Sequence, residues 1–220
     1  MINERLIWYL QKEKIIDDRQ FGFRKQRSTI DATFKITTKI LDGFRRKDKT
    51  VAIFFDIEKA YDKINRERTF KQLKNIKIQG QMPETIKKLV KEKWIKVRVG
   101  GTTIHSRQTN MGILQGEVLN VTLFLVAINS ITRELGNAVD GSPFSDDLAI
   151  YITTRKQRMA IRDLQTNTNE LDAFAAERNI SFSFSKTVTK TFRKRGSSRD
   201  NTKKPNYTIQ GQHPVLGNDP

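Results

Sequence analysis

Two adjacent carboxylates, Asp146 and Asp147, stand in "GSPFSDDLAIY" between a short apolar lead-in and a segment that alternates like a strand. No other feature restricts the fold as much. Neighbouring like charges repel, and apolar surroundings raise the cost of ionising both, so the pair requires open water or a cation. The alternation in "LAIY" predicts a strand entered through a tight hairpin, with both carboxylates presented at the turn. An earlier run, "TVAIFFD" from Thr50 to Asp56, is rich in β-branched and aromatic residues and ends in a third carboxylate. It predicts a buried strand that delivers Asp56 at its C-terminal end. Asp17 and Asp18 supply an internal contrast, a second adjacent pair that reads as a solvated helix end, where Asp meets local backbone donors.

Three carboxylates converging from two neighbouring strands suit hard divalent cations, and two Mg²⁺ about 4 Å apart activate an attacking oxygen while stabilising a leaving one. Charge points the same way. The 220 residues contain 41 Lys plus Arg against 24 Asp plus Glu, a formal net charge of +17. A surplus that large calls for a polyanionic partner, and nucleic acid leads over an anionic membrane surface. No basic amphipathic helix stands out, and no apolar run approaches the ~18 residues of a membrane span. Absence of Cys excludes disulfide frameworks and Cys-based zinc sites, and His105 and His213 have no spaced metal-binding partners. "MINERLIWYLQKEKI" lacks the apolar core of a secretory signal, so an intracellular setting is expected, with nucleus and cytoplasm not distinguished.

Along the chain, Leu6, Ile7 and Leu10 sit at helical spacing, and "STID" at Ser28 to Asp31 reads as a capping box opening a second helix. Ile30, Phe34, Thr37, Leu41 and Phe44 are expected to form that helix's buried stripe. A helix with Phe70 and Leu73 follows the Asp56 strand. Pro83 takes an N1 position ahead of "ETIKKLVKEKWI", and "KVRVGGTTIHSRQTN" reads as a hairpin turning at Gly100 and Gly101. "MGILQGEVLNVTLFLVAINSI" joins a glycine-punctuated loop to an apolar helix from about Glu117. After the carboxylate hairpin come an amphipathic helix through Leu164, Leu171 and Phe174, then short strands at Ile180 to Phe184 and Thr187 to Phe192. Between Lys186 and Lys204 the basic residues outnumber the single acid Asp200, and "GSSRDNTKKP" predicts a mobile loop.

The order of these motifs resembles the reverse transcriptase domain of non-LTR retrotransposons, jockey-type elements most of all. "QFGFRKQRSTIDA" at Gln20 to Ala32 is similar to the fingers motif, "AIFFDIEKAYDKI" to motif A, "MGILQGEVLNVTLF" to motif B and "FSDDLAIY" to motif C. "FSFSKTVTKTF" with Lys186 resembles motif D. The resemblance implies an α+β polymerase palm, an antiparallel sheet with helices packed on one face, plus partial fingers and no thumb. It divides residues 1–210 into fingers (1–49), palm (50–185) and a basic strand and loop region (186–210), with a tail at 211–220.

By the same resemblance Asp56, Asp146 and Asp147 are the catalytic, metal-binding carboxylates, holding two Mg²⁺ with Mn²⁺ as the alternative ion. Tyr61 takes the aromatic position under the incoming sugar, with a core tyrosine as its bland reading. Gln115 and Gly116 form the nucleotide-contacting loop, where glycine permits close backbone approach. Arg24, Arg27 and Lys186 are nucleotide-binding candidates that face phosphates, and Lys190, Arg193, Lys194 and Arg195 are nucleic-acid-binding candidates. The implied partners are an RNA or DNA template with primer and a dNTP; no membrane is indicated, and protein partners are left open. The implied reaction is attack of a primer 3′-hydroxyl on the α-phosphorus of the dNTP.

The match departs from the family pattern at Leu114, Glu117 and Val121 in motif B, where family members carry proline, serine and proline. Glu117 adds a carboxylate to a region that must accept a triphosphate. In motif C, Pro143 and Ser145 replace leucine and alanine, and Pro143 removes a backbone donor that only an edge strand tolerates. These departures lead to the expectation of a partial or decaying copy. They also keep open a catalytically dead nucleic-acid-binding remnant, or a basic structural protein of a ribonucleoprotein particle.

Overall fold

The computed structural model describes residues 1–78, 80–91, 93–109, 112–113 and 116–194, and for 91, 93–97 and 104–109 the backbone alone. In chain order the elements are α1 (Ile2–Lys12), α2 (Thr29–Arg45), β1 (Lys49–Asp56), α3 (Ala60–Lys63), α4 (Arg66–Asn75), α5 (Met82–Lys91), β2 (Lys93–Val99), β3 (Thr102–Thr109), α6 (Val118–Ile128), β4 (Asp140–Phe144), β5 (Asp147–Thr154), α7 (Gln157–Glu177) and β6 (Val188–Phe192). They form two compact units: Met1–Ile16 with Lys59–Asn129, and Asp17–Glu58 with Ser130–Pro220.

The first unit is built around α6. Its sequence VLNVTLFLVAI is apolar on every side, and a helix of that kind must be enclosed. Leu123, Phe124, Leu125 and Ile128 are each at most 2% exposed, and α1 and α4 pack on α6, with fully buried Leu6, Leu10 and Leu73. Thr122 donates to Asn3 at 2.7 Å, and Asn129 Nδ2 donates to the Ile15 carbonyl at 2.6 Å. Arg66, 4% exposed, donates to the carbonyls of Gly112 at 2.6 Å and Val90 at 2.9 Å, tying the loop ahead of α6 to the start of α4. The hairpin of β2 and β3 turns at Gly100 and Gly101, both with positive φ, as the sequence predicts. Pro83 is the second residue of α5, one place later than expected and still in the first turn, where no i−4 bond is lost.

The second unit is a four-stranded antiparallel sheet in the order β4-β5-β1-β6. Helices α2 and α7 pack on it. Leu164, Leu171 and Phe174 of α7 are buried, as the amphipathic pattern requires. The capping box at Ser28 and Asp31 is present in full. The buried stripe of α2 is not the expected one, because Ile30 is 76% exposed, Phe34 70% and Leu41 50%. The less exposed positions include Ala32, Lys35, Ile36, Ile40, Gly43 and Phe44. A Cβ on Gly43 would lie 2.7 Å from Thr153 Cγ2 and 3.3 Å from Thr50 Oγ1, so the helix approaches too closely for a large residue there. Lys39 and Lys35 anchor α2 to β4, through Asp140 at 3.1 Å and the Gly141 carbonyl at 3.2 Å. The expected strand at Ile180 to Phe184 is reduced to one bridge between Phe182 and Ile57, followed by a 3₁₀ turn at Phe184–Lys186.

Asp17 also differs from expectation, since α1 ends at Lys12 and, whereas Asp18 stays exposed, Asp17 is drawn inward. Arg19 grips it through two side-chain bonds, at 3.1 and 2.9 Å, and Thr132 donates at 2.7 Å. Burial pushes its carboxyl up, but the Arg19 and Thr132 hydrogen bonds outweigh burial and hold it well below the ordinary 3.8. A carboxyl depressed in the folded state adds stability above its unfolded value and loses it as pH falls through the folded value. Asp17→Asn should therefore be less stable than wild type at pH 6, with the gap narrowing toward pH 2. Urea denaturation across that range measures the gap, and a gap constant with pH would contradict the assignment.

Candidate active site

The second unit brings the carboxylates together. In the β1/β5 ladder Asp56 stands directly opposite Asp147, as the last pair of an unbroken antiparallel register. Phe144 pairs with Asp147 across β4 and β5, which leaves Ser145 and Asp146 as a two-residue turn, with Ser145 at φ +56°. Asp146 is held from behind by its carbonyl, which accepts the Ile57 N–H at 3.1 Å. Burial first, then the charges of Asp146 and Asp56, push the Asp147 carboxyl above its usual value, while Lys186 opposes the shift. The carboxylates therefore sense one another.

Strand order explains why Pro143 is tolerated. β4 is an edge strand, and the Pro143 carbonyl accepts the Phe21 N–H at 3.1 Å. The segment that makes this bond is a support that the sequence reading missed. A Cβ on Gly22 would lie 2.2 Å from Ser145 N, so the 20–24 segment rests on the carboxylate turn itself. Gln20, 2% exposed, fixes the approach by accepting the Gly22 N–H at 3.0 Å. The "QFGF" glycine is visible in the sequence, but its contact lies over a hundred residues downstream.

Lys186 meets Asp56, with Nζ 3.4 Å from Oδ1 and 3.3 Å from Oδ2. A cavity of about 450 Å³ opens beside this pair, walled by Ala32, Thr33 and Ile36 of α2 and by Phe54, Phe144 and Ala149 of the sheet, with Asp56, Asp147 and Lys186 among its lining residues. The buried Ser142 hydroxyl, also lining it, has no hydrogen-bond partner.

The predicted phosphate contacts fall into different settings. Arg24 is 12% exposed and donates to the carbonyls of Asp17 and Gln20, which makes it a brace of the 17–24 segment. Arg27, 27% exposed, pairs with the exposed Asp18 at 3.2 Å. Lys190 stands opposite Ala52 on edge strand β6, and Arg193 and Lys194 follow it, exposed. Arg195, Gln115 and Leu114 lie outside the described residues, as do the basic region and tail from 195 onward.

The remaining motif residues belong to the first unit. Tyr61 stacks on Phe124 of α6, with ring centroids 4.8 Å apart and an interplanar angle of 17°. Ile113 N–H donates to the Tyr61 carbonyl at 2.8 Å, which binds the loop ahead of α6 to the Tyr61 turn. Gly116 has φ +91°, and a Cβ there would meet nothing within 4 Å, so this backbone is open to close approach. Glu117 turns along its own helix and accepts from Asn120 Nδ2 at 3.0 Å. Val121 is the fourth residue of α6, where it replaces a proline without disturbing the helix.

Hard carboxylate oxygens on one edge of a rigid sheet suit Mg²⁺ in donor chemistry. Among the described residues no three His, Cys, Asp or Glu side chains are gathered tightly enough to hold an ion as they stand. Nor is any described helix long and apolar enough to cross a membrane.

Comparison with known proteins gives a consistent result. The family described as "Reverse transcriptase (RNA-dependent DNA polymerase)" matches residues 1–213. The "RNA-directed DNA polymerase from mobile element jockey" of Drosophila melanogaster is 25% identical over 204 residues, covering 90% of this chain and 22% of that protein. The same organism's "Probable RNA-directed DNA polymerase from transposon BS" is 24% identical over 198 residues, covering 87% of this chain and 22% of that one. The chain thus spans about a fifth of the length of these relatives. Among solved structures, apo telomerase from Candida tropicalis truncated from its C-terminal domain superposes with a TM-score of 0.62 at 14% identity, over 96% of this chain and 42% of that one. Telomerase from the same yeast in complex with a fragment of telomeric RNA gives 0.64 at 15% identity, over 91% and 34%. The α+β arrangement is that of a polymerase palm, and reverse transcriptases use divalent metal ions. Matched along nearly its whole length by one family, the chain belongs to the reverse transcriptases.

Proposed function

We propose that this chain carries the nucleotidyl-transfer site of an RNA-directed DNA polymerase of the non-LTR retrotransposon type. A primer 3′-hydroxyl attacks the α-phosphorus of a dNTP, pyrophosphate leaves, and a template strand selects the base. The observation that carries the reading is the opposition of Asp56 and Asp147 across β1 and β5, beside the Asp146 turn. Two Mg²⁺, or Mn²⁺, held by these three carboxylates would supply activation of the attacking oxygen and stabilisation of the leaving one.

The chain's own contribution is positioning and charge. The β1/β5 ladder fixes the carboxylates, and Lys186 offers a positive charge to the triphosphate. Arg27, Lys190, Arg193 and Lys194 hold backbone phosphates, while base pairing reads the sequence, so little direct base recognition is needed. Tyr61, stacked on Phe124, and Gly116, with no atom within 4 Å of an added Cβ, are the positions that the family resemblance assigns to the incoming sugar and nucleotide. Arg24 acts through the brace it forms with the 17–20 backbone rather than on a phosphate.

Primer extension tests the reading, using the full chain on an RNA template at low salt with dNTPs, in Mg²⁺ and again in excess chelator. Extension in Mg²⁺ that chelation abolishes is the expected result. Salt-sensitive primer–template binding without extension in either Mg²⁺ or Mn²⁺ would overturn the polymerase reading in favour of a nucleic-acid-binding remnant.

A further inference from the structure

We infer that Lys186 is the resident counter-cation of the carboxylate site, and that its ammonium must leave Asp56 before a divalent cation can take that carboxylate. The inference rests on the metal-binding role proposed for Asp56, Asp146 and Asp147. It adds a coupling: the charge offered to a triphosphate is released by metal loading.

The geometry of the contact carries the first step. Nζ of Lys186 lies 3.3 and 3.4 Å from the two oxygens of Asp56, so it straddles the carboxylate and occupies lone pairs that a cation would use. One ammonium among three carboxylates leaves negative charge in surplus, which a divalent cation neutralises better than a lysine does.

The mounting of Lys186 carries the second step. The root of its turn is fixed to the same strand end as Asp56. Ser183 N–H donates to the Asp56 carbonyl at 2.7 Å, Glu58 N–H to the Ser181 carbonyl at 2.8 Å, and Phe182 bridges Ile57. Phe182, 3% exposed, packs on Phe55 with ring centroids 5.0 Å apart. Thr187 closes the turn from the far side, its hydroxyl donating to the Ser183 carbonyl at 2.8 Å. The lysine side chain itself is 68% exposed. A root held by these bonds and an exposed stem allow the charge to swing without disturbing the sheet. An exposed ion pair is weak, so the exchange is readily reversible.

Mn²⁺ binding to the full chain, without nucleotide or nucleic acid, tests this by titration with electron paramagnetic resonance of the free ion. Lys186→Met should bind Mn²⁺ about fivefold more tightly than wild type, the limit set by displacing an exposed ion pair. Lys190→Met removes the same charge at a position opposite Ala52 rather than at the aspartates, and should change affinity no more than about twofold. Tripolyphosphate binding should be strengthened by Mn²⁺ in wild type and much less so in Lys186→Met. Lys186→Gln repeats the comparison with a polar side chain, and thermal unfolding checks that each variant is folded.

Equal or weaker Mn²⁺ binding by Lys186→Met, or an increase matched by Lys190→Met, overturns the inference. Asp56→Asn separates the two levels of failure. If it leaves Mn²⁺ affinity unchanged, the carboxylate reading itself is wrong. If it removes Mn²⁺ binding while Lys186→Met behaves as wild type, only the counter-cation role is wrong.

Discussion

Asp56→Asn is expected to lower Mg²⁺-dependent nucleotide addition by roughly 10³-fold while leaving the fold intact, a loss on the scale of removing one preorganised electrostatic group. The substitution keeps shape and volume and removes one charge. The strand end does not depend on that charge, because the Asp56 carbonyl accepts from Ser183, the Ile57 N–H reaches Asp146, and the ladder to Asp147 is made of backbone. Two electrostatic changes oppose each other in the folded state. Repulsion with Asp147, whose carboxyl is already pushed up by burial and by its two neighbours, is relieved. The ion pair with Lys186 is lost, and an exposed pair of this kind contributes about 1 kcal/mol at most. Stability in urea should therefore stay within about 1 kcal/mol of wild type. Single-turnover primer extension on an RNA template measures the activity. Addition retained above a tenth of the wild-type rate would remove Asp56 from the reaction.

The carboxylate site was legible because its parts are local in sequence. An apolar strand ending in Asp56 and a two-residue turn ahead of an alternating strand both announce themselves within a few residues, and the sheet needs only to place them side by side. Pro143 was legible for the same reason, since a proline in a strand implies an edge. What failed was distant or depended on closeness of approach. The large residues Ile30, Phe34 and Leu41 suggest an apolar stripe for α2, yet all three stay exposed, and Gly43 lies against Thr50 and Thr153 of the sheet. Hydrophobic periodicity does not show where a helix comes closest to its sheet. Asp17 reads as solvated because Thr132, one of its two side-chain partners, is far away in the chain, and Arg19 two residues on gives no sign of burial. Arg24 read as a phosphate contact because a basic cluster gives no sign that one guanidinium folds onto the neighbouring backbone.

The same limit hid Gly22, and alanine there carries the largest structural penalty we expect. The added methyl carbon would stand 2.2 Å from Ser145 N, 2.9 Å from Ser145 Cα and 3.1 Å from the Phe144 carbonyl carbon. All three are backbone atoms, so no side-chain rotation relieves the clash. Gly22 does not have a positive φ, and the cost is therefore steric rather than conformational. Either the turn or the 20–24 segment must withdraw. Withdrawal of the segment stretches the Phe21-to-Pro143 hydrogen bond and pulls on buried Gln20. Withdrawal of the turn moves Asp146 and Asp147 off the register with Asp56. Overpacking of this kind costs about 3 kcal/mol, which for a chain of 220 residues corresponds to a fall in Tm of roughly 6–12 °C. A displacement of about 1 Å at the carboxylates would lower nucleotide addition roughly 10²-fold beyond the loss of folded protein. Thermal unfolding, with extension rates taken well below the variant's Tm, separates the two effects. A Gly22→Ala protein with wild-type Tm would mean that the 20–24 segment does not rest on the carboxylate turn, and the support assigned to it would fall with that result.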